Sequence, residues 1–287
     1  MGIFDRLKSM LGGGKLDVRE RFELVREAVH GTMSQFYMAR DRETGKTVGL
    51  KLLDPKKTEQ FEKRFKGCNK PSEGEIASSI KHPFVVETLE YGVTTKGQHY
   101  LVMEYLEGQG LNTLIQAESH ALVEHRMTLL RQAAEAVAAV HQAGFIHRDI
   151  CPRNFVVAGD FESLKLIDFG LTVPDTKPFR QPGNRTGTPR YMSPEVVRRR
   201  TTDHRVDIFS FGVTAYELFA FASPWPSTVT TGKKAMEHDK PPIPITDVNP
   251  QIDPRLADAI HACLKANPDD RPRSMQQFLQ MIERASG

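Results

Sequence analysis

Between Phe22 and Glu104 the apolar residues come in short runs, FELVREAV, QFYMAR, TVGLKLL, VVETLEY and QHYLVME. Their length, alternation and β-branched content predict strands. A polar turn at 41–45 separates the second of these runs from the third. One helix interrupts them over about 72–80, ahead of His82 and Pro83, so the first part reads as a small sheet with a single helix against it. After Gly108 the period lengthens. Val123, Met127, Leu130, Ala134, Val137 and Val140 recur at helical spacing, which predicts a long core helix. Further apolar helices are expected over about 206–222, 256–266 and 274–285, and the proline-rich stretch 240–245 reads as an extended surface connection. The fold class is therefore α+β, with a sheet-rich lobe at 21–104, a larger helical lobe at 105–287 and an extension at 1–20.

Composition narrows the class without changing this outline. The 287 residues are 39% hydrophobic, enough for a sizeable core, and 39 basic against 36 acidic residues leave a formal charge of only +3. That balance argues against nucleic acid as the main partner, so any basic patch has to be local. Cys68, Cys151 and Cys263 are widely spaced and odd in number. They indicate neither a disulfide framework nor a zinc cluster, and favour a reducing, cytoplasmic setting. No apolar run approaches the roughly 20 residues that span a bilayer. Within 3–11, Ile3, Phe4, Leu7, Met10 and Leu11 share one face of a short helix that Gly12, Gly13 and Gly14 end. Packing on its own domain is the preferred reading of that face. Membrane contact is the weaker one, because the stretch is short and Arg6 stands where an acylation signal carries Ser or Thr.

Three motifs carry chemistry. HRDICPRN at 147–154 is followed by IDFG at 167–170 and GTPRYMSPE at 187–195. In this order, after a long helix, they are highly specific. From about Phe22 onward the chain resembles the protein-kinase family, and most of all the eukaryotic-type serine/threonine kinases, including those of bacteria. The resemblance implies a two-lobed kinase fold, ATP and Mg²⁺ as cofactors, and a protein substrate with a Ser or Thr acceptor. Phosphoryl transfer needs phosphate, metal and attacking hydroxyl in line while negative charge is neutralised. Asp149 matches the family's base, a carboxylate that orients the hydroxyl and takes its proton; alone, it would read as a loop-capping aspartate. Asn154 and Asp168 match the Mg²⁺ ligands, oxygen donors of the kind this ion prefers. The bland reading of Asp168 is a turn residue before Phe169 and Gly170.

Lys51 ends the apolar strand VGLK, where an inward charge is costly without an anion. The resemblance pairs it with the α and β phosphates and with a helix glutamate, Glu73 by its spacing from His82 and Pro83, with Glu75 as the fallback. Met103, Glu104 and Leu106 resemble the hinge whose backbone contacts adenine, with Val156 as the floor of that site. Glu195, Asp207 and Arg271 resemble the family's structural set, the first and last as a buried ion pair.

The chain departs from the family in two places. Aligned on 37–40, the three glycine positions of the phosphate-covering loop hold Val29, Gly31 and Ser34. Val29 and Ser34 should hinder the close approach of backbone N–H groups to phosphate. Above adenine, Phe36 replaces the usual valine and Gly49 the usual alanine, so the ring is expected to fill the space vacated at Gly49. In the catalytic loop the usual lysine two residues after the base is Cys151. Arg153, four residues after it, occupies the position from which tyrosine kinases supply an arginine, while Thr188 keeps the serine/threonine pattern. Two functions of different classes remain open, with a tyrosine or small-molecule kinase as a third, weaker reading. The complete set Lys51, Glu73, Asp149, Asn154 and Asp168 speaks for an active serine/threonine kinase; the eroded loop and Cys151 speak for a pseudokinase that binds nucleotide or scaffolds. Arg148 is the family's receptor for an activation-loop phosphate. Thr176 and Thr186 are the expected acceptors, and Arg180 and Arg185 are the charges that would order the loop without one.

Overall fold

Residues that alternate between buried and exposed need partners on both edges, and here the alternating runs find one another. The computed structural model describes residues 16–30, 34–183, 185–225, 238 and 240–283. In it β1 (Phe22–His30), β2 (Ser34–Asp41), β3 (Thr47–Leu53), β4 (Thr88–Val93) and β5 (His99–Glu104) form an antiparallel sheet in the order β1-β2-β3-β5-β4. One face holds a core of Phe22, Ala39, Val48, Leu50, Tyr100 and Val102, with Leu16 and Val18 packed against it. The period of two that sends Val48 and Leu50 into this core sends Gly49 and Lys51 to the opposite face. The amphipathic stretch 3–11 and Gly31 lie outside the described residues.

The helix ahead of His82 is Glu73–Ser79. Ser72 and Glu75 start it as a reciprocal cap: the Glu75 carboxylate accepts from Ser72 N at 2.7 Å, and Glu75 N donates to Ser72 Oγ at 3.2 Å. The expectation of a single helix in this lobe is corrected by a second one, Pro55–Glu62. Its signal was present in the sequence, since Asp54 accepts from Lys56 N and Lys57 N and Pro55 occupies the first turn. Phe61 and Phe65 anchor this region by packing edge to face.

The described residues fall into two compact units. One runs to Ser78 and includes Glu87–Tyr105, while the other holds Ser79–Val86 and everything from Leu106 on. The second unit is built on two helices, His120–Gln142 and Arg205–Ala220. The first buries Leu122, Leu129, Ala133, Val137 and Val140. The expected stripe was out of phase at its start, because Val123 is 42% exposed and Leu122 takes the inward place. Arg205–Ala220 is buried almost throughout, as a helix apolar on all sides must be, and Ser210 and Thr214 satisfy their hydroxyls on Val206 O and Ser210 O. The remaining expected helices are Pro254–Cys263 and Met275–Glu283. Small strand pairs, β6 (Gly108–Gly110) with β8 (Phe155–Ala158) and β9 (Leu164–Leu166), and β7 (Phe145–Ile146) with β10 (Val173–Pro174), frame the loops that carry the motifs. The fold is two-lobed, sheet-rich first and helical second. Among the described residues no helix is long and apolar enough to cross a membrane.

Candidate active site

The sheet unit presents one charged pair. Lys51 and Glu73 are both buried, 6% and 8% exposed, with Lys51 Nζ 2.5 Å from Glu73 Oε1. A buried charge demands such a partner. Glu75, the alternative, is turned to its cap on Ser72 instead. Phe36 lies opposite Lys51 in the β2–β3 register, and Met38 opposite Gly49. A Cβ placed on Gly49 would sit 2.7 Å from Phe36 Cζ and 3.4 Å from the Glu104 carbonyl. The ring therefore occupies the space an alanine methyl would need, as the two departures from the family suggested. Met103 pairs with Gly49 across β3 and β5, and Glu104 N donates to Glu87 O at 3.0 Å. Ser34 opens β2 opposite Leu53, and Val29 belongs to β1.

In the helical unit the HRD segment hangs on one buried carboxylate. Asp207 accepts from His147 N at 2.7 Å and Arg148 N at 2.8 Å, with His141 Nε2 3.0 Å away. Burial opposes the Asp207 charge, yet these contacts hold its carboxyl below the usual range. His147 is fully buried; burial pushes its pKa down, and its Nδ1 accepts from Asp149 N at 3.3 Å. The loop is thereby closed around the next residue.

Asp149 is the convergence point. Its Oδ1 accepts from Thr188 N at 2.8 Å and Thr188 Oγ1 at 2.7 Å, while its Oδ2 accepts from Arg153 Nη2 at 2.9 Å and Asn154 Nδ2 at 3.1 Å. Thr188 comes this close only because of Gly187, which has φ 111° and whose hypothetical Cβ would lie 2.5 Å from Arg148 O. Asn154 Nδ2 also donates to Asp149 O at 2.6 Å, which leaves the side-chain Oδ1 without a donor among the described residues. Asp168 is exposed at φ 69°, with Oδ1 accepting from Gly170 N. No group of three or more His, Cys, Asp or Glu gathers as a metal site among the described residues. One amide oxygen and one carboxylate are nonetheless a donor set that suits Mg²⁺, which keeps water and phosphate for its other positions.

Cys151 lies buried with Sγ 3.7 Å from Thr188 Oγ1. Burial, and after it the Asp149 charge, pushes the thiol up to about 12, so it stays neutral. The only cation ion-paired to Asp149 among the described residues is Arg153, whose side chain is 51% exposed. Val156 lies on β8 opposite Gly110 and Lys165, and Leu106 precedes β6; both are half-buried.

The segment after Asp168 is held by contacts that the sequence reading missed. Arg148 donates through Nη2 to Phe179 O. Asp175 takes Arg180 Nε at 2.7 Å and His204 Nδ1 at 3.1 Å, and Arg185 Nε donates to Val197 O. Of the expected acceptors, Thr176 is exposed and Thr186 half-buried, while Thr172 of the same segment is fully buried. Glu195 meets Arg271 in a buried two-point pair at 2.7 and 2.8 Å. Spacing alone gave no signal for Asp175 or His204, because each reads as an ordinary polar loop residue.

A family profile described as "Protein kinase domain" matches residues 22–282. Serine/threonine-protein kinase pkn3 of Myxococcus xanthus is 30% identical over 273 residues, which cover 88% of this chain and 48% of that protein. Serine/threonine-protein kinase PknA of Mycobacterium tuberculosis is 28% identical over 275 residues, 91% of this chain and 60% of its own. PknB of Mycolicibacterium smegmatis is 29% identical over 262 residues, 88% and 41% respectively. The chain thus spans about half the length of the curated relatives it matches.

Proposed function

Because the chain belongs to the protein-kinase family, we propose that it is an ATP-dependent kinase that transfers the γ-phosphate to Ser or Thr hydroxyls of a protein substrate. The observation that carries this reading is the fourfold-bonded Asp149 carboxylate. Such donors fix the direction of the lone pairs before the substrate arrives, which is what a base must have to take a proton from a poorly acidic hydroxyl. With two donors on each oxygen, the incoming hydroxyl has to displace one of them. Arg153 is the one free to leave, being half-exposed, whereas Asn154 and Thr188 are tied to the loop backbone or belong to the ordered segment. Once released, its guanidinium is available to the γ-phosphate.

Lys51, held by Glu73, is assigned to the α and β phosphates. Asn154 Oδ1 and Asp168 would hold Mg²⁺, which when bound neutralises phosphate charge. Phe36, Gly49, Met103, Glu104, Leu106 and Val156 are assigned to adenine, and Val29, Gly31 and Ser34 to the loop over the phosphates. The three cysteines are free thiols, which fits work in the cytoplasm. The test is incubation with labelled ATP, Mg²⁺ and a generic protein substrate, followed by phosphoamino-acid analysis. Label on Ser or Thr that disappears in Asp149→Asn supports the kinase. Nucleotide binding without any transfer would instead support the pseudokinase reading, which the neutral Cys151 favours.

A further inference from the structure

Charge is distributed unevenly in this protein. Residues 176–202 carry seven basic side chains against a single acidic one, Glu195, a formal +6 in a chain whose total is +3. Everything outside that segment is therefore net negative. Glu195 offers this surface nothing, because its carboxylate is consumed by Arg271 in the interior. Arg180 is neutralised by Asp175 and Arg190 by Glu217 at 3.0 Å. Lys177, Arg185, Arg198, Arg199 and Arg200 remain, all exposed, and Arg199 and Arg200 have no carboxylate in ion-pair reach among the described residues.

These charges have a defined place. Arg199 and Arg200 line a cavity whose wall also includes Asp149, Thr186, Thr188 and Ser193, so a chain segment entering it lies within a residue or two of a hydroxyl at Asp149. Their mounting is rigid. Arg200 N donates to Glu195 O at 2.8 Å and Arg199 N to Val196 O at 3.1 Å, wrapping the end of the Pro194–Val197 helix. Arg199 holds φ 55° there, at the kind of helix end where glycine is favoured. An arginine kept in a left-handed conformation calls for a reason beyond backbone geometry. The bland account is a helix end attracting cations, but a four-residue helix has little dipole to offer.

We propose that this cavity is the docking site for the residues flanking the acceptor, and that it selects an acidic segment, with Glu, Asp or phosphorylated side chains beside the Ser or Thr. This rests on the kinase reading above only for the identity of the acceptor; the charge selection stands by itself. Arginine suits the role because its planar fork pairs carboxylate or phosphate through two parallel hydrogen bonds.

The test uses phosphatase-treated full chain, so that no phosphate of its own fills the cavity, and three peptides with one acceptor flanked by Glu, Ala or Arg. Binding is read by fluorescence anisotropy and transfer by labelled ATP with Mg²⁺. The expected result is roughly tenfold tighter binding and higher kcat/KM for the Glu peptide than for the Ala peptide, with the Arg peptide worst. The ratio should fall with added salt and collapse in Arg199→Gln/Arg200→Gln and in the charge-reversed Arg199→Glu/Arg200→Glu. Equal binding of the three peptides, a preference for Arg, or an acidic preference that both double variants retain would each overturn the proposal. Selective binding of the Glu peptide with no transfer would uphold the docking site while sinking the kinase reading.

Discussion

Under the proposed kinase reading Arg153 and Cys151 divide what one lysine usually does, and that division is testable at the level of single side chains. The thiol is neutral and packed on Thr188, so it only fills space, while the cation reaches Asp149 from two residues further along. Arg153→Ala is expected to lower turnover about 10²-fold, the usual cost of losing a donor to developing charge, with little change in nucleotide affinity. Cys151→Lys should partly rescue that variant in steady-state assays; unchanged turnover in Arg153→Ala would mean the arginine is only a surface residue. Phe36 and Gly49 make a second coupled pair, since the ring lies where a methyl at 49 would go. Gly49→Ala alone should weaken nucleotide binding by displacing the ring. Phe36→Val with Gly49→Ala should restore it, giving a coupling of about 0.5–3 kcal/mol in a double-mutant cycle. Strict additivity would show that the two departures are independent.

At the scale of elements, the segment from Asp168 to Glu195 is held to the helical unit largely by Asp175, Arg148 and Thr188. His204 is the titrating part of this anchor. Its Nδ1 faces Asp175 at 3.1 Å and its Nε2 faces Arg273 O at 3.0 Å, two acceptors that only a doubly protonated ring can satisfy. The hydrogen bond to Asp175 raises the His204 pKa, helped by the charges of Asp203 and Asp175 against the cost of burial. A raised histidine stabilises fully below its unfolded value of about 6.5 and loses that contribution as pH climbs through the folded pKa. Asp175 behaves in the opposite sense. Burial works against its charge, but His204 and Arg180 hold it at about 2, so its contribution fades only as pH falls from about 4 toward that value. Hydrogen exchange of the segment, corrected for intrinsic rate, should therefore quicken in the wild type as pH rises above about 6.5 and through the raised His204 pKa. His204→Gln should exchange fast throughout, and a wild-type protection that ignores pH in this window would refute the anchor.

At the scale of the whole molecule, Glu195 and Arg271 form a buried ion pair with Arg271 fully enclosed. Arg271 also donates to the carbonyls of Lys265, Ala266 and Arg205, so one guanidinium ties the end of the motif segment to three other backbone points. Removing one partner strands a buried charge, and Glu195→Ala should cost about 3–5 kcal/mol of stability. Denaturant unfolding followed by tryptophan fluorescence can read this, because Trp225 is buried in the same unit. A midpoint within error of the wild type would mean the pair is solvated in practice. The proposed acidic docking site belongs to the same scale, since a near-neutral chain carries a formal +6 within the 27 residues 176–202, and two of those cations, Arg199 and Arg200, line a cavity with Asp149.

Much of this could be read along the chain. Strand and helix periods placed the sheet and four of the helices, because burial imposes a period of two or 3.6 wherever an element has one dry face. Motif order singled out Lys51, Asp149, Asn154 and Asp168, since a fixed chemistry demands fixed residue types at fixed spacing. The choice of Glu73 over Glu75 was open until the cap on Ser72 occupied the latter. The Pro55–Glu62 helix was signalled by Asp54 and Pro55 but is too short for its period to stand out. The exchange of bulk between Phe36 and Gly49 was legible as two departures from the family, whereas only the tertiary structure decided that Arg153 reaches Asp149, that His204 holds Asp175 and that Arg199 and Arg200 share a cavity with Asp149. These are contacts between side chains of no fixed spacing, and their identity depends on which surfaces the packing brings within a few ångströms.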